Sequence, residues 1–351
     1  MYFKSIAATF AAVVIALAGV PSASAQEPGT TPAAGTESRQ WIKLAGTSGQ
    51  LNDERGAVRL ASYSLIFDAG QGSYGYLRKG DKFGKTTYRE ALVAPGQRWV
   101  AGIPDYRLWK AMSKIDLIDR TSRRTYTIAL PAPVTSPEWS PDGRTLLLTA
   151  YQEHREGSLT IIGFITLNVT DRVPHLVRTG PRHRVTDWAI GRAFRFYFAG
   201  QAGGVLAMHE AAEPPSAKSR IAVYGLDGKR RGFYTGVGVF DEGSAVTVSS
   251  PSGRFFATVV RKDDKGRDIG IVEASTGKIL YRIGGRGIQA FAGWYDDEHV
   301  ILKQVRGKTQ TFQRVDFAGI ADLDLIKEKL IAGPAEYKPH LERVNFVPAQ
   351  G

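Results

Sequence analysis

Cysteine is absent from all 351 residues. That excludes disulfide scaffolds, thiol catalysis, thiolate metal sites and a lipid anchor on an N-terminal cysteine. Histidine is scarce and scattered. His154, His175, His183, His209, His299 and His340 never fall into HxH or HExxH spacing, which argues against a catalytic zinc site. G-x-S-x-G is missing, and with it the nucleophile turn of a serine hydrolase domain.

What is present is ordinary in bulk and unusual in charge. Hydrophobic residues make up 43% and charged residues 23%, values typical of a globular chain. The formal charge of +12, with a pI near 9.7, favours an anionic partner: nucleic acid, membrane headgroups or a cell-wall polyanion.

Residues 1–25 have the parts of a secretory signal. Lys4 precedes an apolar run of about 15 residues, and Ala23-Ser24-Ala25 supplies an A-x-A cleavage site. A membrane span needs roughly 20 apolar residues, and Pro21 and Ser22 end this run earlier; an uncleaved anchor is the alternative. Cleavage removes Lys4 and lowers the formal charge from +12 to +11. Export makes nucleic acid a poor partner. Residues 26–40 are rich in Pro, Thr, Ala and Gly and read as a flexible linker. The folded domain is then 41–351.

One stretch organises that domain. A short strand ends on Trp139, Pro141-Asp142-Gly143 makes a tight turn, and Leu146-Leu147-Leu148 begins a buried strand. Weaker copies turn at Ala94-Pro95-Gly96-Gln97-Arg98, at Gly191-Arg192 between 186–190 and 194–199, at Ser250-Pro251-Ser252-Gly253-Arg254, and at Tyr295-Asp296-Asp297-Glu298. About 25 residues after each turn lies a second hairpin, clearest at Ile271-Val272-Glu273-Ala274-Ser275-Thr276-Gly277-Lys278-Ile279. Two hairpins recurring every 45 to 60 residues or so is the period of a propeller blade or slightly above it.

Ser140-Pro141-Asp142-Gly143-Arg144-Thr145-Leu146, with the later Thr-Gly-Lys turn, resembles the WD-like repeats of TolB-type bacterial propellers over about 88–319. Ser252 replaces the Asp in one copy, and the Gly-His and Trp-Asp dipeptides of eukaryotic repeats are missing. The resemblance implies an all-β fold: one β-propeller of four-stranded blades. Five blades are visible and 41–85 has room for another, so the expectation is six, with five or seven as alternatives. Residues 321–332 carry early acids, late lysines and Leu323/Ile326/Leu330 spacing, which suits a short C-terminal helix in an extension from about 321; a final strand is the other reading.

Three further motifs dissolve on inspection. Gly80-Asp81-Lys82-Phe83-Gly84-Lys85-Thr86 has three residues between its glycines, so it is read as a hairpin turn and not a P-loop. Gly285-Arg286-Gly287-Ile288-Gln289-Ala290 leads into another hairpin, not the helix a dinucleotide site needs. The acids of 263–268 lie among basic residues and read as a solvated loop, not a calcium site. No metal, cofactor or catalytic residue is expected.

Blade topology sorts the remaining candidates, with strands lettered a to d from the channel outward. The a–b and c–d turns share one face and contribute Arg98, Arg123, Arg124, Arg144, Arg192, Lys229, Arg230, Arg231 and Arg254. This basic face either aids solubility or holds an anionic polymer or lipid surface. The b–c loops on the opposite face carry Tyr106, Arg107, Trp109, Tyr151 and His154, amphipathic residues favoured in interfaces, although Trp109 and Tyr151 also suit packing between blades. The expected function is an exported, non-enzymatic module at the bacterial cell surface, binding a protein, peptide or anionic envelope polymer, with peripheral membrane contact, as a monomer. The alternative is a secreted hydrolase or lyase acting on a glycan or lactone through carboxylates at the central funnel.

Overall fold

The computed structural model describes residues 41–53, 56–66, 73–104, 112–154, 158–180, 184–185, 194–200, 203–210, 219–241, 246–263, 266–330 and 339–349. Every regular element among them is a β-strand. In chain order, β1 (Trp41–Lys43) and β2 (Gln50–Asn52) form a hairpin, followed by β3 (Val58–Ile66), β4 (Ser73–Lys79) and β5 (Lys82–Lys85). Next come β6 (Glu90–Val93), β7 (Trp99–Ile103), β8 (Met112–Asp119) and β9 (Arg124–Trp139). They lead to β10 (Thr145–Glu153), β11 (Leu159–Asn168), β12 (Pro174–Arg178) and β13 (Arg184–Val185). Then β14 (Phe196–Phe198), β15 (Gly204–Glu210), β16 (Arg220–Gly225) and β17 (Arg230–Thr235) form one sheet, and β18 (Phe255–Asp263), β19 (Gly266–Glu273) and β20 (Lys278–Gly284) another. The chain ends with β21 (Ile288–Trp294), β22 (His299–Arg306), β23 (Thr309–Asp316), β24 (Ala321–Lys329) and β25 (His340–Pro348).

Neighbouring strands pair antiparallel in a meander, giving a propeller-like arrangement of consecutive small sheets, of which β14–β17 has four strands and β18–β20 three. β9 serves two of them. Its first half alternates between exposed and half-buried as the outer strand of one unit, pairing β8; its second half is buried as the inner strand of the next, pairing β10. Pro131 and Pro133 sit at the crossing, where no ladder bond needs their missing N–H. The C-terminal β25 pairs with β3, Val344 opposite Tyr63, so the last strand forms one edge of the β3–β5 sheet.

Successive inner strands are tied side to side. Trp139 Nε1 donates to Leu92 O at 2.9 Å, Ser249 Oγ to Phe198 O at 2.6 Å, Trp294 Nε1 to Val248 O at 2.8 Å and Asn345 Nδ2 to Val93 O at 3.0 Å. The apolar clusters lie between units. Leu92, Ile103 and Leu117 of one unit meet Trp139, Leu148 and Ile165 of the next. Each such fully buried Leu or Ile contributes about 1.5 to 3 kcal/mol.

Three expectations need correction. Residues 321–329 form a strand, not a helix: β24 pairs β23 on one side, from Thr309–Lys329 to Val315–Ala321, and β2 on the other, with Leu51 opposite Ile326. Ladder bonds on both edges and burial of Leu325, Ile326 and Glu328 outweigh the helical spacing. Among the described residues after 321, β24 and β25 are both paired strands of the sheets. Second, residues 194–199 were expected as a second strand after Gly191-Arg192; instead Phe196–Phe198 is the inner strand of its unit, and the turn follows it. Third, 41–85 does not make a blade of its own: β3–β5 share a sheet with β25, and β1–β2 belongs to the sheet of β21–β24.

Candidate binding face

The repeat is built on one backbone hydrogen bond. It closes each a–b turn: Ala94 N to Trp99 O at 2.9 Å, Ser140 N to Thr145 O at 2.8 Å, Ala199 N to Gly204 O at 2.9 Å, Ser250 N to Phe255 O at 2.9 Å and Tyr295 N to His299 O at 3.0 Å. In the strongest copy, Asp142 takes the Ser140 hydroxyl and the Arg144 N–H, while Ser140 Oγ accepts Thr145 N at 2.9 Å. Where Ser252 stands in place of that Asp, the next turn supplies the carboxylate: Asp297 accepts Ser252 N at 3.0 Å and Ser252 Oγ at 2.7 Å. Burial works to raise the Asp297 carboxyl, but these hydrogen bonds and nearby Arg254 hold it below the usual range.

The basic residues of this face divide by their partners. Arg98 grips Asp119 with two bonds, Nε–Oδ1 at 3.2 Å and Nη2–Oδ2 at 2.8 Å. That pairing, with the N–H groups of Thr121 and Ser122, holds the Asp119 carboxyl well below the ordinary range. Arg254 lies 4.0 Å from Glu273 and over the Phe255 ring, Arg231 pairs with Asp227 at 3.3 Å, and Arg230 covers Phe233. At Arg144 the strand position that holds Asp119 and Glu273 in the other units is taken by Asn168, whose oxygen accepts Thr170 N. Arg123, Arg124, Arg144 and Lys229 are exposed, and Arg192 lies outside the described residues.

On the opposite face, Tyr106, Arg107 and Trp109 also lie outside the described residues. Tyr151 is no surface contact. It is 2% exposed among Leu147, Ile161 and Phe164, and its hydroxyl accepts Thr135 Oγ1 at 2.8 Å, so packing decides its place. His154 is half-buried, its Nε2 2.8 Å from Thr160 Oγ1 within its own hairpin.

Sequence reasoning missed the ionic groups of the inner strands. Glu90, the first residue of β6, pairs with Arg343 of β25 at 2.6 Å, both nearly closed to solvent. Asp241 pairs with Arg267 and accepts Phe291 N at 2.9 Å. Glu138 Oε2 accepts Phe198 N at 3.1 Å, and burial pushes this carboxyl up to about 8 against the opposing pull of Thr247 and Arg195. For Glu90 and Glu138 the readable signal is a lone acid inside an apolar inner strand.

A cleft of about 680 Å³ opens on the turn face between the β18–β20 sheet and the unit of β21–β24. Its wall is aromatic. Tyr281 of β20, 42% exposed, tilts against Phe317 at 4.7 Å, and Phe317 meets Phe255 and Trp294 edge-on at 5.7 and 6.2 Å. Asp297, Glu298, His299 and Asp316 line its rim with Arg254, the one expected site residue that falls here. His299 Nδ1 is held 2.9 Å from Asp296.

No protein-family model matches this chain, and no curated protein does. Solved structures with a similar fold include TolB from Acinetobacter baumannii, 13% identical, covering 84% of this chain and 68% of that one at a TM-score of 0.49. The β-propeller domain of the Trilobed protease from Pyrococcus furiosus is 14% identical, covering 77% and 82% at 0.45. A hypothetical selenium-binding protein from Sulfolobus tokodaii is 12% identical, covering 81% and 79% at 0.46.

Proposed function

We propose that this chain is an exported, non-enzymatic β-propeller of six units that binds a protein of the cell envelope through its turn face. The count of six is supported by the apolar clusters of the described residues. Each is shared by two neighbours, from β6–β9 against β9–β12 round to β21–β24 against the β25–β3 sheet, which in turn meets β6 and β7 through Ala91, Val93, Val100 and Val347. Export rests on the signal-like residues 1–25.

One observation carries the binding reading. Glu90 is spent on Arg343 of a neighbouring strand and Asp241 on Arg267 and Phe291 N, whereas the aromatic cleft on the turn face is filled by none of the described residues. Clefts with exposed aromatics and a charged rim suit protein recognition. Affinity capture from envelope extracts with the mature chain, after cross-linking, tests this. Wild type should retain a discrete partner that Tyr281→Ala loses at unchanged melting temperature; capture indifferent to Tyr281 would overturn the cleft as the binding site.

The enzymatic alternative draws on Glu138, a buried acid raised far above its usual range. A hydrolytic activity on envelope glycans or lactones that Glu138→Gln abolishes would favour it.

A further inference from the structure

We propose that the turn-face cleft receives a cationic side chain, arginine or lysine, presented by the protein partner. This rests on the binding reading above and adds the chemistry that the cleft selects.

The chain is basic, with a formal +12, yet this cleft has the opposite sign. Among the described residues, Asp297, Glu298 and Asp316 border it against a single guanidinium, that of Arg254. Arg254 lies 4.8 Å over the Phe255 ring and 4.0 Å from Glu273, and its charge also acts on Asp297, so it offsets one of the three acids. Burial works to raise the Asp297 carboxyl, but the Ser252 hydrogen bonds and nearby Arg254 hold it below the usual range, which favours its charged form. Asp316 anchors its own turn by accepting Ile320 N at 2.8 Å through Oδ1, and Glu298 is exposed.

The aromatic wall points the same way. Tyr281 leans on Phe317, which Phe255 and Trp294 brace edge-on, so the exposed ring is backed by packed neighbours and loses little freedom on binding. Ring faces attract cations, Arg above all, and flanking carboxylates add charge-assisted hydrogen bonds. The propeller already uses this chemistry internally, with Arg230 over Phe233 at 4.6 Å and Arg172 over Tyr126 at 4.1 Å. An anionic ligand would meet three carboxylates against one guanidinium here, and a neutral apolar one would leave the excess negative charge without a counter-charge.

The test uses the mature chain and end-blocked, labelled Gly/Ser hexapeptides that differ at one position: arginine, lysine, citrulline or glutamate. Fluorescence anisotropy at low salt should give binding for arginine and lysine, about tenfold weaker binding for the neutral citrulline isostere and none for glutamate. Glu298→Gln and Tyr281→Ala should each weaken the arginine peptide several-fold, while Tyr281→Phe keeps it, separating ring chemistry from folding. Equal binding of arginine and citrulline, no binding of arginine, or indifference to both variants overturns the inference. The broader reading fails separately: an envelope partner lost with Tyr281→Ala but not displaced by the arginine peptide leaves the binding surface standing and removes the cationic ligand.

Discussion

Gln310 Nε2 donates to Glu328 Oε2 at 2.9 Å in an interior where both residues are 2% exposed. The same oxygen accepts Leu341 N at 3.2 Å, Oε1 takes the Thr47 hydroxyl, and Gln310 Nε2 also reaches Leu341 O at 3.3 Å. One carboxylate thus joins the β1–β2 hairpin, β23, β24 and β25, the elements that bring the two ends of the domain together. Glu328→Ala should cost about 3 kcal/mol, because it strands buried donors on three elements, and should lower the denaturant midpoint at unchanged slope.

The Arg98–Asp119 pair makes an acid-side prediction. Asp119 is depressed in the folded chain, so its stabilisation is complete above the unfolded carboxylate value near pH 4 and drains away as pH falls below it. Arg98→Ala should flatten stability against pH in that window and move acid unfolding to higher pH. Circular dichroism through an acid titration measures this.

Glu138 makes the opposite prediction. Its folded value near 8 lies above that of the unfolded chain, so it stays protonated while unfolded glutamate ionises. Stability should therefore fall as pH rises from about 4 to 8. Glu138→Gln, a neutral isostere, should come within about 1 kcal/mol of wild type near pH 5 and exceed it at pH 8 by something on the order of 4 kcal/mol. Parallel melting curves at the two pH values check it.

Gly143 has φ +67, and a Cβ there would lie 2.3 Å from Pro95 O in the neighbouring turn. Gly143→Ala adds a backbone clash to left-handed strain and should destabilise by about 2 kcal/mol or more. Gly96→Ala, also at positive φ but with open space around its Cβ, should show the strain alone and cost about 1 kcal/mol. Chemical denaturation of the pair separates the two contributions.

The exposed cations Arg123, Arg124, Arg144 and Lys229 make a salt prediction. If the basic sector meets an anionic wall polymer or lipid, binding to anionic vesicles should weaken steeply with added salt. Reversing Arg123, Arg124 and Arg144 to Glu should abolish it, while Arg98→Ala changes it little because Arg98 is committed to Asp119. Vesicle co-sedimentation at two salt concentrations reads this out.

Much of the architecture was legible because repeats write local chemistry into the chain. Pro-Asp-Gly, Ser-Pro-Ser-Gly and Thr-Gly-Lys each require one turn, and a Trp ahead of the first turn marks an inner strand. Legibility failed where local signal was thin. The three-residue β14 and its Ala199–Gly204 turn have no Pro or Asp to announce them, and Gly191-Arg192 offers the stronger local turn signal. At 321–329 the side-chain spacing suited a helix, and only strands on both sides explain the outcome.

The sequence by itself determined the turns, the apolar strands between them and the excess of positive charge, because these follow from each residue and its near neighbours. Tertiary structure decided which charges are spent and which remain. It set Arg98 on Asp119 and Glu90 on Arg343, buried Tyr151, and joined Tyr281 to Phe317 across a cleft of opposite sign. The physical reason is distance along the chain. Arg343 and Glu90 are 253 residues apart and meet because β25 lies among the inner strands, a pairing set by closing the sheets and by no local propensity.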